Sequence, residues 1–165
     1  MTRPERGASP LVAGVVLLVA MGLVMVLACT QTDDDTDPDA APPSLIITDP
    51  VVAEPAGPNT ALYLTIENDG AGADSLVAVR TAVSERVELH ETRADDDGLM
   101  VMHHLDRIDL PGESVVRLQP GGLHVMLFEV DDLAAGDVVE LELELERSGN
   151  VIVEAMVESY AAIHD

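Results

Sequence analysis

His124 and Met126 stand two residues apart in the run Gly121-Gly122-Leu123-His124-Val125-Met126-Leu127. An extended strand aims such a pair at one face, so an imidazole nitrogen and a thioether sulfur would lie side by side. Upstream, His90 ends an alternating stretch, and Met100-Val101-Met102 opens the next one after the turn-like Ala94-Asp95-Asp96-Asp97-Gly98. These are donors for a soft cation, and two such half-sites meeting in space would bind copper(I).

Alternation tests whether they can meet. Val87 and Leu89 share one parity while Glu88 and His90 share the other. Leu99 and Val101 take the core parity of the next segment and leave Met100 and Met102 outward. Leu123, Val125 and Leu127 point inward in the third, leaving His124 and Met126 outward. All the soft donors therefore fall on the side that an ordinary core does not need. Taken singly, a strand methionine is core filler and a lone histidine a solvated or hydrogen-bonded residue. Taken together, the pattern favours a metal. Phe128 shares the parity of Met126, so a fold that buried both faces of these strands would return the set to plain packing. Copper(I) accepts thioether sulfur and neutral imidazole at low coordination number, with silver(I) as its chemical mimic. Calcium and magnesium want oxygen, and zinc rarely accepts methionine. His104 has the parity of Met102 and is an auxiliary or alternative ligand, as is Met100. Asp95-Asp96-Asp97-Gly98 lacks the spaced oxygens and distal glutamate of a calcium loop and reads as a polar turn.

The elements that must position these residues are short strands. Leu45–Ile47, Ala61–Ile66, Leu76–Val79, Arg86–His90, Leu99–Val101, Val115–Leu118, Leu123–Val130, Val138–Leu145 and Val151–Val157 are of β type. Asn68-Asp69-Gly70, Asp97-Gly98, Pro111-Gly112, Pro120-Gly121-Gly122, Ala135-Gly136-Asp137 and Ser148-Gly149-Asn150 divide them. Nine such segments with no long helical period predict an all-β antiparallel sandwich. Val138 to Glu146 alternates so regularly that one face is solvent and the other core.

At 165 residues the chain holds one domain with a core of its own. Hydrophobic residues are 47% of it but aromatics only 2%, so that core is aliphatic and no aromatic platform exists for stacking bases. Acidic residues number 31 against 8 basic ones, all arginine, and the formal charge of -23 repels nucleic acid and anionic lipid. Cys29 is the single cysteine, which excludes an internal disulfide, a cysteine cluster and the thiolate of a blue-copper centre. Arg3 and Arg6 precede the apolar run Leu11–Ala28, a signal peptide or membrane anchor over residues 1–29 that places the remainder outside the cytoplasm. Val26-Leu27-Ala28-Cys29 is similar to a lipobox, with Cys29 as the lipidation site. Residues 30–43 form an acidic, extended linker, 44–160 the β-sandwich and 161–165 a tail that includes His164.

With these residues in view, the chain resembles the periplasmic copper(I) chaperones of the PCuAC type, associated with assembly of the CuA centre of cytochrome c oxidase. That family's motif is a His, ten residues, a Met, twenty-one residues and then His-X-Met. Met102 and His124 keep the twenty-one intervening residues, and His124-Val125-Met126 is the closing triplet. Val87-Glu88-Leu89-His90-Glu91, Gly98-Leu99-Met100-Val101-Met102, Leu110-Pro111-Gly112 and Leu118-Gln119-Pro120-Gly121-Gly122 also match. The likeness runs from about Leu45 to Val157. It implies a cupredoxin-like Greek-key β-sandwich that holds Cu(I) through His90, Met102, His124 and Met126. It also implies delivery to a membrane-bound acceptor, such as a cytochrome c oxidase subunit or its assembly factor. One departure exists: eleven residues separate His90 from Met102. The extra residue sits in the Arg93–Gly98 turn and leaves Met100 as a substitute ligand. Thr92 stands where many relatives carry another Met. No nucleophile motif, phosphate loop or paired-carboxylate signature is present, so an enzyme is not expected. The rival reading is a metal-free envelope module that uses the sandwich as an interaction or assembly surface.

Overall fold

The structure is a computed structural model and describes residues 41–130 and 132–164; the segment Leu11–Ala28, Cys29 and the linker up to residue 40 lie outside the described residues. Among the described residues no helix is long and apolar enough to cross a membrane. The chain runs through β1 (Leu45–Ala53), β2 (Thr60–Asn68), β3 (Asp74–Thr81), β4 (Arg86–Ala94), β5 (Met100–Leu105), β6 (Ile108–Leu110), β7 (Ser114–Leu118), β8 (Leu123–Phe128), β9 (Val138–Leu145) and β10 (Gly149–Glu158). A short helix, α1 (Tyr160–His164), ends it. The nine segments read from sequence recur, and the three-residue β6 is added to them.

The strands form one sheet in the order β5-β4-β8-β7-β2-β1-β10-β9-β3-β6. Its two halves curl face to face. Leu62, Leu64 and Ile66 of β2, Leu89 of β4 and Val125 and Leu127 of β8 share a single apolar cluster with Leu141, Leu143 and Leu145 of β9, Val157 of β10, Leu76 of β3 and Ile108 and Leu110 of β6. The chain changes halves after every one or two strands, the Greek-key habit of small all-β domains. Most pairings are antiparallel; β1 with β10 and the single contact of β7 with β8 are parallel. On β9, Val139, Leu141, Leu143 and Leu145 are buried while Glu140 is exposed and Glu142 and Glu144 half-buried, as the alternation predicts.

One buried polar residue ties the edges of this sandwich together. The Asn68 side chain, 1% exposed, accepts from the backbone N–H groups of Ser44 and Gly70 and donates to the carbonyls of Gly72, Leu110 and Pro111. A side-chain amide meets these because it carries both donors and an acceptor.

Candidate metal centre

β4 lies between β5 and β8, and the two registers agree at one residue. His90 is opposite His104 on one side and His124 on the other, so three imidazoles occupy one rung. Toward the hairpin tip the next rung pairs Thr92 with Met102, and the one after pairs Ala94 with Met100. In the other direction Glu88 faces Met126, then Arg86 faces Phe128. Residues opposed in register share a face. Glu88, His90, Met102, His104, His124 and Met126 therefore stand together on the face of this ribbon turned away from the buried Leu89, Val125 and Leu127. The ring centroid of His90 is 5.7 Å from that of His124, 5.9 Å from His104 and 6.1 Å from Phe128. Arg86 lies over Phe128 at 3.8 Å, a cation–π contact that closes this end of the row.

Shelter varies sharply along this face. His124 is 5% exposed, although the alternation alone had placed it on an outward side, whereas Met102 is 53% exposed. Leu99 and Val101 do not take the core positions their parity suggested: they are 65% and 37% exposed. The reason is the length of β8. It starts at Leu123, opposite Glu91, so among the described residues no third strand pairs with the β4–β5 ribbon beyond that rung, and Arg93, Ala94, Met100, Val101 and Met102 are exposed. The tip is held by its own loop. Asp95 Oδ1 accepts from the N–H groups of Asp97 and Leu99, and Asp95 O accepts from Gly98 N, with Gly98 at φ 81°. That is a polar turn.

A second turn sets His124. Gly122 N donates to Gln119 O at 3.0 Å, with Gly121 at φ 77° following Pro120, the torsion that a type II turn demands and that glycine supplies. The turn delivers the Gly122 carbonyl to two donors, the Thr92 N–H at 3.0 Å and Nδ1 of His124 at 3.1 Å. A carbonyl only accepts, so Nδ1 of His124 carries the proton and Nε2 the lone pair. His90 is set in the opposite sense. Its Nε2 lies 2.9 Å from Glu88 Oε2, and an ionised carboxylate only accepts, so Nδ1 holds the lone pair. That Nδ1 is buried and has no hydrogen-bond partner among the described residues. A buried acceptor without a partner costs free energy, so a site of this kind is one a cation can complete.

The electrostatics favour neutral imidazole. Burial holds the His124 pKa below its ordinary 6.5, with the charge of His90 adding to the effect and the Gly122 bond opposing it. The hydrogen bond from His90 keeps Glu88 ionised below the usual carboxylate range, helped by Arg86 and opposed by desolvation. Glu88 is the residue that sequence reading left out of the candidate set. Its signal was there, in the shared parity with His90 two residues on.

A family model described as "Putative lipoprotein LpqE-like" matches residues 45–157. The chain belongs to the LpqE-like family. Among relatives of this LpqE-like protein is "Putative lipoprotein Lxx21020" of Leifsonia xyli subsp. xyli, 23% identical over 107 residues. The match covers 64% of each chain, so this chain spans a little under two thirds of that relative. Similar solved structures are PCuAC domains and a copper-loaded protein. The copper-bound PCuAC domain from PmoF2 is 26% identical with a TM-score of 0.59, over 70% of this chain and 92% of that one. Its apo form gives 27% and 0.61 over 76% and 98%. The solution structure of CuI-DR1885 from Deinococcus radiodurans gives 25% and 0.59 over 76% and 85%. The LpqE-like protein is thus a PCuAC-like all-β sandwich, as the sequence resemblance implied.

Proposed function

We propose that this LpqE-like protein is an extracytoplasmic copper(I) chaperone, with His90, Met102, His124 and Met126 holding the ion and a membrane-bound acceptor, such as the CuA centre of cytochrome c oxidase, receiving it. The observation that supports the reading is that two imidazoles with fixed tautomers and two methionines share one face of the β5-β4-β8 ribbon. The chemistry fits: a neutral nitrogen lone pair and thioether sulfur are what Cu(I) accepts, without a thiolate that would hold it too firmly to release. The likeness to a copper-bound PCuAC domain and to CuI-DR1885 supports the same cargo. No catalytic residue enters this reading.

The gradient of shelter suits transfer. His124 is buried and fixed, while Met102 sits on a bare ribbon at the sheet edge, where an incoming ligand reaches the ion without displacing core. Membership of a lipoprotein family supports an envelope location, with Cys29 as the lipid attachment point and residues 30–43 as the tether. A tether of that kind raises the effective concentration of the domain near acceptors in the same membrane.

The exposed apolar tip of the β4–β5 hairpin, Leu99 to Met102, favours one second reading, a metal-free interaction module that docks through this tip. Met126→Leu separates the two, because it keeps size and apolarity while removing sulfur. A chaperone loses Cu(I) affinity in competition with a colorimetric chelator and keeps its melting temperature. A binding module is indifferent, and unchanged Cu(I) affinity in this variant, or none in the wild type, ends the proposal.

A further inference from the structure

The sheet has two outer edges, and they are finished differently. β6, at one end, is three residues long, buries Ile108 and Leu110, and stops at Pro111, which has no N–H to offer a further strand. β5, at the other end, pairs with β4 over all six of its residues without a bulge, and among the described residues Met100 to Leu105 make no backbone hydrogen bond on their other side. Alternate residues of an antiparallel strand turn both N–H and C=O outward, so this edge presents a row of unused donors and acceptors. The usual protections are missing from it. Leu99 to Leu105 holds no lysine, proline or carboxylate, in a chain with 31 acidic residues, and Leu99, Met100, Val101 and Met102 are exposed. We infer that β5 is a self-association edge, to which β5 of a second copy adds antiparallel about a two-fold axis at Met102. The inference goes beyond the copper reading and does not rest on it.

A second copy is the occupant because the strand is complementary to itself. A two-fold axis normal to the sheet makes the pair antiparallel and turns the same face of both copies upward, so residues of equal parity oppose one another. Centred on Met102, the axis uses the whole strand. Met102 then opposes Met102, Val101 opposes His103, Met100 opposes His104 and Leu99 opposes Leu105 of the second copy. No like charges meet across this ladder, and the acidic turns Asp95-Asp96-Asp97 of the two copies lie at its opposite ends. A parallel pairing would set those turns side by side, which a chain of charge -23 resists, so charge selects the antiparallel arrangement. The pairing also gives Met100 a place. In its own chain it stands two rungs from His90; here it stands opposite His104 of the second copy, on the face that carries the imidazoles. One short ladder buries less than the roughly 1,200 Å² of a stable interface, so the pair is weak and dissociates on dilution.

The test uses the full-length chain, free of metal, in non-ionic detergent at about 0.15 M sodium chloride, where charges more than about 8 Å apart are screened. Sedimentation velocity follows a dilution series, and hydrogen exchange is measured at its two ends. In the wild type the protein mass climbs from that of one chain toward that of two as concentration rises, and the amides of Met100–Leu105 exchange more slowly in the concentrated sample. Val101→Lys puts a charge on the edge, away from the face that carries the imidazoles, and its mass stays that of one chain at every concentration. Met156→Lys, at an equally exposed position on β10, associates as the wild type does. A wild type that stays monomeric, association that survives Val101→Lys, or association that Met156→Lys abolishes overturns the inference. So does exchange at Met100–Leu105 that ignores concentration, a measurement that decides the matter without any variant if Val101→Lys fails to fold.

Discussion

The two methionines of the β4–β5 hairpin provide the sharpest test of the thioether set, because the register assigns them different distances from the same imidazole. Met102 sits opposite Thr92, one rung from the His90–His104 pair, and Met100 opposite Ala94, two rungs away. At about 3.4 Å per residue, Met102 is displaced about 7 Å along the strand from His90 and Met100 about 14 Å. A diagonal neighbour at about 7–8 Å is within reach of a long side chain, and a residue twice as far is not. Met100 could join an ion near His90 only by breaking the Asp95–Gly98 turn or slipping the hairpin by two residues. Met102→Leu should therefore lower Cu(I) affinity at least tenfold, about 1.4 kcal/mol, whereas Met100→Leu should change it less than twofold. Both side chains are more than half exposed, so neither variant should shift stability by more than about 0.5 kcal/mol. The assay is Cu(I) competition against a colorimetric chelator with thermal melts of both variants. Equal losses, or a larger loss for Met100→Leu, would show that the ligands are not placed by this register.

Three further outcomes follow from the same geometry. Glu88→Gln removes the charged acceptor that fixes the His90 tautomer, and partners of this kind are worth about 10–100-fold in metal affinity. Cu(I) affinity in that variant should fall within this range, and an unchanged value means that Glu88 does not orient His90. His124 has its folded pKa depressed by burial, so it stays neutral in the native state at pH values where the unfolded chain is protonated. Its contribution to apo stability is thus complete above about 6.5, the unfolded value, and lost as pH falls through the lower folded value. Denaturant titrations of the apoprotein between neutral and mildly acidic pH should show that loss, reduced in His124→Gln; identical slopes for both chains would count against it. Asn68→Ala strips partners from two backbone N–H groups and three carbonyls at a nearly sealed position, and should cost about 2–4 kcal/mol by urea unfolding. A loss under about 0.5 kcal/mol would mean that water replaces those bonds.

The fold was legible because strand patterns speak directly. The period of β9, the turn residues at Pro120-Gly121-Gly122 and the lack of helical spacing each carry local physics that tertiary context did not override. Only β6 escaped, since three residues between Arg107 and Pro111 are too few to show a period. The shared face of His90, His124, Met102 and Met126 was legible for the same reason, because parity survives folding. Depth was not. Alternation says which side of a strand a residue takes and nothing about what covers that side. Hence Leu99 and Val101 read as core although their ribbon outruns β8, and His124 read as outward although it is buried. The choice between Met100 and Met102 likewise needed the β4–β5 register, which no count along one strand contains. The two turns decide how the site is built: the Gly121 turn brings a carbonyl to His124, and the Asp95 turn closes the hairpin in the register that sets Met102 beside Thr92. An insertion inside either strand, rather than at the hairpin tip, would have shifted parity and sent a sulfur to the opposite face.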